Sequence, residues 1–201
     1  MTETPPHRLY YIRHGETDWN REARLQGQRD IPINATGRAQ ARVCGEILKD
    51  LFKCDGVDPA AIDYVASPLG RARETMEIAR AALGLDGSYS IDARLSEVSF
   101  GAWEGFTLAE LAENALEAVA QREREKWTYT PPDAESYATM SLRMRAWYDS
   151  LVRDTVAVAH GGTLRGLIVQ LGIATPEDAP HLDIAQGVVY VIADGRMSRY
   201  A

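Results

Sequence analysis

Two spacings of hydrophobic residues alternate along the chain, which predicts a succession of strands and helices. The predicted strands cover residues 9–12, 64–66, 89–95, 155–159 and 188–193. The predicted helices cover residues 37–52, 72–83, 108–126, 135–153 and 163–171. Thr36 is the predicted N-cap of the first helix, and Gly84 follows the end of the second. Residues 16–36 show no clear period and are predicted to form a loop.

This regular alternation of strand and helix is typical of an α/β fold. We therefore predict a three-layer sandwich, in which helices cover both faces of a mostly parallel central sheet. No internal repeat, low-complexity segment or linker interrupts the pattern. The chain of 201 residues is thus expected to form a single domain over residues 1–201.

Composition and charge exclude several classes of protein. No apolar run approaches the roughly 20 residues of a membrane-spanning helix. The polar start, Met1 to Arg8, is unlike a secretory signal, so we expect a cytoplasmic protein. The formal net charge of −7 argues against nucleic acid or an anionic membrane as the main partner. A local cluster of arginines remains compatible with a small phosphorylated substrate.

Polar residues follow three of the predicted strands. The first strand ends in Arg13-His14-Gly15, the second leads into Ser67 and Arg71, and the late strand ends in His160-Gly161-Gly162. In open α/β sheets, ligands bind at the carboxyl ends of the strands. We therefore expect two histidines and two arginines, distant in sequence, to meet in one crevice.

This combination of residues suits a phosphoryl group. Arginine donates paired hydrogen bonds to phosphate oxygens. A neutral histidine nitrogen can attack phosphorus and form a covalent intermediate. A departing alkoxide needs a proton, which a carboxylic acid can supply. The two cysteines, Cys44 and Cys54, lack the spacing of a zinc or redox site and are expected to be reduced thiols.

Five motifs, in order along nearly the whole chain, resemble the histidine phosphatase superfamily, in its phosphoglycerate mutase-like branch. The residues that carry this resemblance are Leu9-Tyr-Tyr-Ile-Arg-His-Gly-Glu-Thr-Asp-Trp-Asn20, the segment 25–37 with Gln26-Gly27, Ser67-Pro-Leu-Gly-Arg71-Ala-Arg-Glu-Thr75, Leu95-Ser-Glu97 with Phe100-Gly-Ala-Trp-Glu-Gly105, and Val158-Ala-His160-Gly-Gly162. One departure is Asp133-Ala134 before Glu135-Ser136, where many relatives carry Gly-Gly.

The resemblance implies a phosphoglycerate mutase-like fold and a role for each matching residue. His14 would be the phosphorylated nucleophile, and Glu97 the general acid. The residues implied to hold the phosphoryl group are Arg13, Arg71 and His160. The residues implied to bind substrate are Asn20, Gln26, Gly27 and Gly161. No metal and no cofactor is implied.

Several assignments have alternatives. Glu104 lies in the same motif as Glu97 and is the second choice for the acid. His7 and His181 match no motif and are read as structural. Trp103, Trp127 and Tyr129 flank the segment between the acid motif and the late helix. We favour packing over pocket lining for these three aromatic residues.

The predicted function is that of a metal-independent phosphatase acting on a small phosphorylated metabolite. The nearest alternative is a cofactor-dependent phosphoglycerate mutase, which passes the phosphoryl group to a second hydroxyl instead of water. Mutases of the family tend to be longer and to carry Thr-Gly where this chain has Gln26-Gly27, so both features favour a phosphatase. A non-catalytic phosphate-binding module is a remote alternative. The sequence leaves a homodimer open.

Overall fold

A computed structural model describes residues 7–201 of the chain. Most of the polar N-terminal segment, on which the expected cytoplasmic location rests, therefore lies outside the described residues. The strands are β1 (Leu9–Arg13), β2 (Asp63–Ala66), β3 (Ser90–Ile91), β4 (Thr155–Ala159), β5 (Val189–Ala193) and β6 (Arg196–Tyr200). The helices are α1 (Asp18–Arg21), α2 (Ala35–Asp55), α3 (Gly70–Ala82), α4 (Leu108–Arg124), α5 (Tyr137–Tyr148) and α6 (Gly161–Gln170).

The six strands form one sheet in the order β3-β2-β4-β1-β5-β6. The first four strands in this order run parallel to one another, while β5 and β6 are antiparallel to their neighbours. The sheet is thus mixed and mostly parallel, and the predicted α/β class is confirmed. The carboxyl ends of β2, β4 and β1, which are adjacent strands, all reach the same edge.

Strand β1 shows how the sequence produces three layers. Leu9 and Tyr11 point into a core beneath α5 and α6, whereas Tyr10 and Ile12 point into a second core beneath α2 and α3. All four side chains are fully buried, because successive residues of a strand face opposite sides of the sheet and both sides are covered. The continuous apolar run of β1 is therefore that of an internal strand.

Some predicted boundaries are wrong. Helix α2 begins at Ala35, and its N-cap is Asn34 instead of Thr36, because the Asn34 side chain accepts a hydrogen bond from the Gly37 amide at 2.9 Å. The predicted strand over 89–95 shrinks to two residues, Ser90 and Ile91. The helix predicted over 135–153 is shorter, from Tyr137 to Tyr148.

The segment before α5 includes an unusual backbone angle. Asp133, at the departure from the Gly-Gly pattern, has a φ of +57°. This left-handed conformation is one that glycine adopts freely and aspartate tolerates. The loop therefore keeps a turn suited to glycine without having glycine there.

Among residues 7–201, no helix is long and apolar enough to cross a membrane.

Candidate active site

A cavity of about 210 Å³ opens at the carboxyl-end edge of the sheet. It brings together residues from β1, from the loop before α2, from α3, from the loop after β3 and from α6. The predicted site residues that line it are Arg13, His14, Asn20, Gln26, Gly27, Arg71, Glu97 and Gly161. His160 is not on the cavity wall, but its ring lies 5.1 Å from that of His14, centroid to centroid.

His14 directly follows β1, and its ring orientation is fixed by the next residue. Its Nδ1 lies 2.8 Å from the carbonyl oxygen of Gly15. Because a carbonyl oxygen can only accept a hydrogen bond, Nδ1 carries the proton and Nε2 keeps its lone pair. The Gly15 amide in turn donates to Thr75 Oγ1 at 3.0 Å. This chain of contacts fixes the ring and leaves Nε2 as the nitrogen with the lone pair.

Gly15 also needs to be a glycine for close packing. A Cβ atom at this position would lie 2.3 Å from the carbonyl oxygen of Gly37, in the first turn of α2. Any side chain would therefore force α2 away from β1. The glycine after His14 thus lets the start of α2 approach the nucleophile segment directly.

The surroundings of His14 favour its neutral form. Its side chain is 3% exposed, and this burial lowers its pKa well below the ordinary value of a histidine. The positive charges of Arg71 and Arg13 lower the pKa further. A neutral imidazole with its lone pair on Nε2 is the form that can attack phosphorus.

His160 is held by three other residues behind His14. Its amide donates to Tyr11 Oη and Thr163 Oγ1, both at 3.1 Å, and its Nε2 lies 2.8 Å from Ser67 Oγ. Its Nδ1 is buried without a hydrogen-bond partner in residues 7–201. Burial, followed by the charge of Arg71, lowers the pKa of His160 well below the ordinary value. The second imidazole is thus also neutral and has an unused polar atom.

Two arginines, the half-buried Arg13 and the buried Arg71, flank the histidines. Arg13 donates to the carbonyl oxygen of Ile184 at 2.6 Å, and Arg71 donates to that of Gly27 at 2.7 Å. Both Nε atoms are buried without a partner among the described residues. Burial lowers the pKa of each guanidinium, although arginine stays charged. Two fixed cations, each with an unpartnered Nε atom, therefore line the same cavity as His14.

Asn20 is positioned by α1, a short helix within a segment that was predicted to be a loop. Thr17 and Asn20 form a reciprocal capping box at its start. Asn20 Oδ1 also accepts a hydrogen bond from Gln186 Nε2 at 3.0 Å, and the same nitrogen donates to the carbonyl oxygen of His14 at 3.1 Å. Gln186 therefore links two predicted site residues, a role that no sequence motif indicated.

Glu97 and Glu104 lie in different environments. Glu97 lines the cavity, and its Oε2 accepts a hydrogen bond from the Gly162 amide at 3.1 Å. Glu104 is not on the wall. Its Oε1 instead accepts from the amides of Gln28 at 3.0 Å and Phe100 at 3.1 Å. The geometry favours Glu97 over Glu104 as the acid. Glu104 instead joins the loops of Gln28 and Phe100.

A half-buried ion pair, between Arg143 and Glu135, holds the Glu97 segment in place. Arg143 Nη2 donates to Glu135 at 2.8 Å and to the carbonyl oxygen of Glu97 at 3.2 Å. Glu135 Oε1 also accepts from the Ser99 amide at 3.2 Å. These contacts tie the acid loop to α5. The contacts to residues 97 and 99 were missed at the level of sequence because their partners are 46 and 36 residues away.

The three aromatic residues of uncertain role lie off the cavity wall. Trp103 is buried and packs on Tyr129, with ring centroids 5.6 Å apart. Trp127 stacks on Tyr137 at 6.3 Å, and of these four residues only Tyr137 lines the cavity. The positions favour packing.

Among residues 7–201, no group of three or more His, Cys, Asp or Glu side chains is arranged to hold a metal ion.

The family can be assigned by comparison with known proteins. A model of the histidine phosphatase superfamily (branch 1) matches residues 9–197. The chain belongs to this superfamily. The match includes His14, His160, Arg13, Arg71 and Glu97. The expected family is thereby confirmed.

This histidine phosphatase superfamily member resembles both phosphatases and mutases. It is 31% identical to a 2,3-bisphosphoglycerate-dependent phosphoglycerate mutase 2 of Gloeobacter violaceus, over 95% of this chain and 89% of the relative. It is 32% identical to the uncharacterized phosphatase PhoE of Bacillus subtilis, over 83% and 78%. A solved mycobacterial glucosyl-3-phosphoglycerate phosphatase, in complex with VO3, is 30% identical with a TM-score of 0.80, over 97% and 98%.

Proposed function

We propose that this chain hydrolyses small phosphate monoesters through a phosphohistidine on His14. One observation carries the proposal. A neutral, buried imidazole with its lone pair on Nε2 lines the same cavity as Arg13 and Arg71 and lies against the ring of His160. The Nε atoms of both arginines and the Nδ1 atom of His160 have no protein partner in residues 7–201. Buried polar groups are normally satisfied, so these atoms are suited to bind phosphoryl oxygens.

In the first step, His14 Nε2 attacks phosphorus, and the bond from phosphorus to the ester oxygen breaks. Arg13 and Arg71 neutralise the charge on the transferred group, which is the main requirement of phosphoryl transfer. Glu97 donates its proton to the departing oxygen, so that an alcohol leaves instead of an alkoxide. The products of this step are an alcohol and a phosphohistidine.

In the second step, water attacks the phosphohistidine. The Glu97 carboxylate accepts a proton from the water as the new oxygen–phosphorus bond forms and the bond to Nε2 breaks. Inorganic phosphate leaves, His14 returns to its neutral form, and Glu97 is protonated again. The cycle uses one ester and one water and needs no further reactant.

We further propose that the reaction needs no metal ion. The two arginines and two histidines supply the donors and the positive charge that a divalent cation supplies in many other phosphoryl-transfer enzymes. Asn20, Gln26, Gly27 and Gly161 complete the wall around the reacting group. The Gln26 Oε1 atom is buried without a partner in the described part of the chain, so this side chain is also suited to contact the substrate.

A mutase is the second candidate, because one of the relatives named above is a phosphoglycerate mutase. Both reactions share the phosphohistidine and differ only in the acceptor, which is water or a second hydroxyl. Gln26, where mutases of the family tend to carry threonine, favours water. A non-catalytic phosphate-binding module is disfavoured because the nucleophile, both arginines and the acid are all present.

The deciding experiment is a rapid-quench reaction with 4-nitrophenyl phosphate, followed by mass spectrometry of the protein under conditions that preserve phosphohistidine. We expect one added phosphoryl group on the peptide that contains His14, and none in His14→Ala. A parallel assay supplies 3-phosphoglycerate with 2,3-bisphosphoglycerate. Interconversion of phosphoglycerates faster than phosphate release would identify a mutase. Phosphate release without a phosphohistidine would disprove the mechanism.

Three expectations from the sequence remain proposals. The first two are that residues 1–201 form a single domain and that the protein is cytoplasmic. The third is a homodimer, which light scattering of the purified protein would test directly. The proposed catalytic cycle is complete within one chain and does not depend on any of the three.

A further inference from the structure

The cavity wall has more basic side chains than the proposed contacts to the phosphoryl group use. Within residues 7–201, six basic side chains line it, together with one carboxylate, that of Glu97. Arg13 and Arg71 are assigned to the phosphoryl group. The remaining four are Arg24, Arg122, Lys126 and Arg165. The protein itself is acidic, with a formal net charge of −7, so this concentration of positive charge is local to the site.

Arg24 is already neutralised. It donates to Glu22 at 2.8 Å and to both oxygens of Glu110, at 2.7 and 3.1 Å. Its charge is therefore balanced by two carboxylates at the cavity rim. Arg24 therefore needs no ligand to explain its position.

Lys126 and Arg165 differ from Arg24 in having no carboxylate partner. Within residues 7–201, neither forms an ion pair, and Lys126 makes no hydrogen bond. Arg165 is fixed by two hydrogen bonds to the carbonyl oxygen of Leu182, at 3.0 and 2.8 Å, which leave its Nη1 free. These are two unbalanced positive charges on the wall of one small cavity.

Arg122 adds a third charge beside them. It is 6% exposed, lies over the ring of Phe100 at 5.9 Å and pairs with the exposed Glu123. Burial lowers the pKa of Lys126, the charges of Arg122 and Arg165 lower it further, and the nearby carboxylate of Glu123 opposes them. Lys126 and Arg165 thus lie near a third cation and, unlike Arg122, form no ion pair within residues 7–201, and like charges held in this way are costly in the absence of an anion.

These cations adjoin the phosphoryl site. A Cβ atom placed on Gly161 would lie 3.5 Å from Arg13 Nε and 3.5 Å from Arg165 Nη1. The two guanidinium groups therefore flank one point of the wall, which His14 and Lys126 also line. A single small molecule can contact both groups of cations at once.

We propose that Lys126 and Arg165, assisted by Arg122, bind a second anionic group of the substrate, either a carboxylate or a second phosphate. This inference rests on the proposed phosphatase function and narrows its substrate class. Esters of neutral alcohols leave the charges of Lys126 and Arg165 unbalanced, whereas a phosphorylated acid or a bisphosphate balances them.

The test compares substrates that differ in one charge. Phosphate release is measured from 4-carboxyphenyl phosphate and from 4-carbamoylphenyl phosphate, which have the same shape, with hydroquinone bisphosphate as a third arm. We expect kcat/KM to be about 10- to 100-fold higher for a substrate with the second anion, the range of one or two charge-assisted hydrogen bonds. The better of the two charged substrates identifies the second group.

Variants locate the preference. In Lys126→Met and in Arg165→Gln the ratio of kcat/KM values, charged over neutral, should fall toward one. Arg124→Gln is the matched control, since Arg124 lies on α4, pairs with Glu117 and is absent from the cavity wall. It should keep the ratio of the unmodified protein. Thermal melts check that each variant is folded.

The outcomes separate the two proposals. Hydrolysis of all substrates with no preference for the charged ones would overturn the second-anion site and leave the phosphatase intact. A preference that survives in both Lys126→Met and Arg165→Gln would also overturn it. No phosphate release from any substrate, including 4-nitrophenyl phosphate, would instead contradict the proposed function.

Discussion

The carboxylate of Glu97 lies against the backbone of Gly162, where its Oε2 accepts the amide proton at 3.1 Å. Gly162 is in the first turn of α6, so the carboxylate is held by a helix N-terminus that is itself anchored at His160. This contact fixes the distance between the proposed acid and the two histidines. It also requires that residue 162 have no side chain.

Gly162→Ala should therefore impair catalysis. A Cβ atom there would lie 2.3 Å from Glu97 Oε1, so the carboxylate has to move. A displacement of this kind costs on the order of 100-fold in rate. Gly161→Ala is the comparison, because its Cβ would meet its nearest neighbours at 3.5 Å. We expect kcat on an alkyl phosphate to fall much further in Gly162→Ala, and equal losses would contradict this account.

Glu97→Gln should slow substrates according to their leaving groups. Alkyl phosphates need a proton on the departing oxygen and should lose about 100- to 10,000-fold in kcat, while 4-nitrophenyl phosphate should lose far less. Glu104→Gln is the control, since Glu104 joins the loops of Gln28 and Phe100 instead of lining the cavity. It should affect both substrate classes alike. If Glu104→Gln, and not Glu97→Gln, slowed alkyl phosphates far more than 4-nitrophenyl phosphate, Glu104 would be the acid.

Chelation should leave the activity unchanged. The proposed site neutralises the phosphoryl group with Arg13 and Arg71, so dialysis against EDTA removes nothing that the reaction uses. The measurement is the rate on 4-nitrophenyl phosphate before and after dialysis, with metal content followed by mass spectrometry. A loss of rate that a divalent cation restores would show that the reaction depends on a metal.

Much of the fold and most of the cavity wall could be predicted from the sequence. Strand β1 is internal and apolar up to Arg13, and β4 is apolar after Thr155, so both were visible as short hydrophobic runs. Site residues at the ends of such strands are brought together by the parallel arrangement itself. The predicted residues of the motifs therefore lie around one cavity, with His160 directly behind it.

Features that depend on contacts between distant segments could not be predicted. Helix α1 has four residues, too few for a periodic pattern, and depends on the cap between Thr17 and Asn20. Gln186 lies in a loop without a motif, and it reaches His14 and Asn20 only after β1 and β5 have paired. The bond from His160 to Ser67 joins two strand ends 93 residues apart. Such partners are set by tertiary structure alone.

Stability should decline as the pH falls below the ordinary pKa of histidine. In the folded protein, the pKa values of His14 and His160 are both well below 6.5, chiefly because of burial. In the unfolded chain both histidines take up protons near pH 6.5. Below that pH the unfolded state therefore binds more protons than the folded state, and protonation favours unfolding. Each histidine can lower the free energy of unfolding by up to about 1.4 kcal/mol per pH unit.

Urea denaturation between pH 8 and pH 5 measures this effect, since carboxylates titrate mainly below that window. We expect the free energy of unfolding to be flat above about pH 7 and to fall below pH 6.5. His14→Asn should reduce the slope, because one of the two buried imidazoles is gone. His181→Asn makes the same change of residue at an exposed position outside the site and should retain the slope. An unfolding free energy that does not change between pH 7 and pH 5 would show that His14 and His160 are not held neutral by the fold.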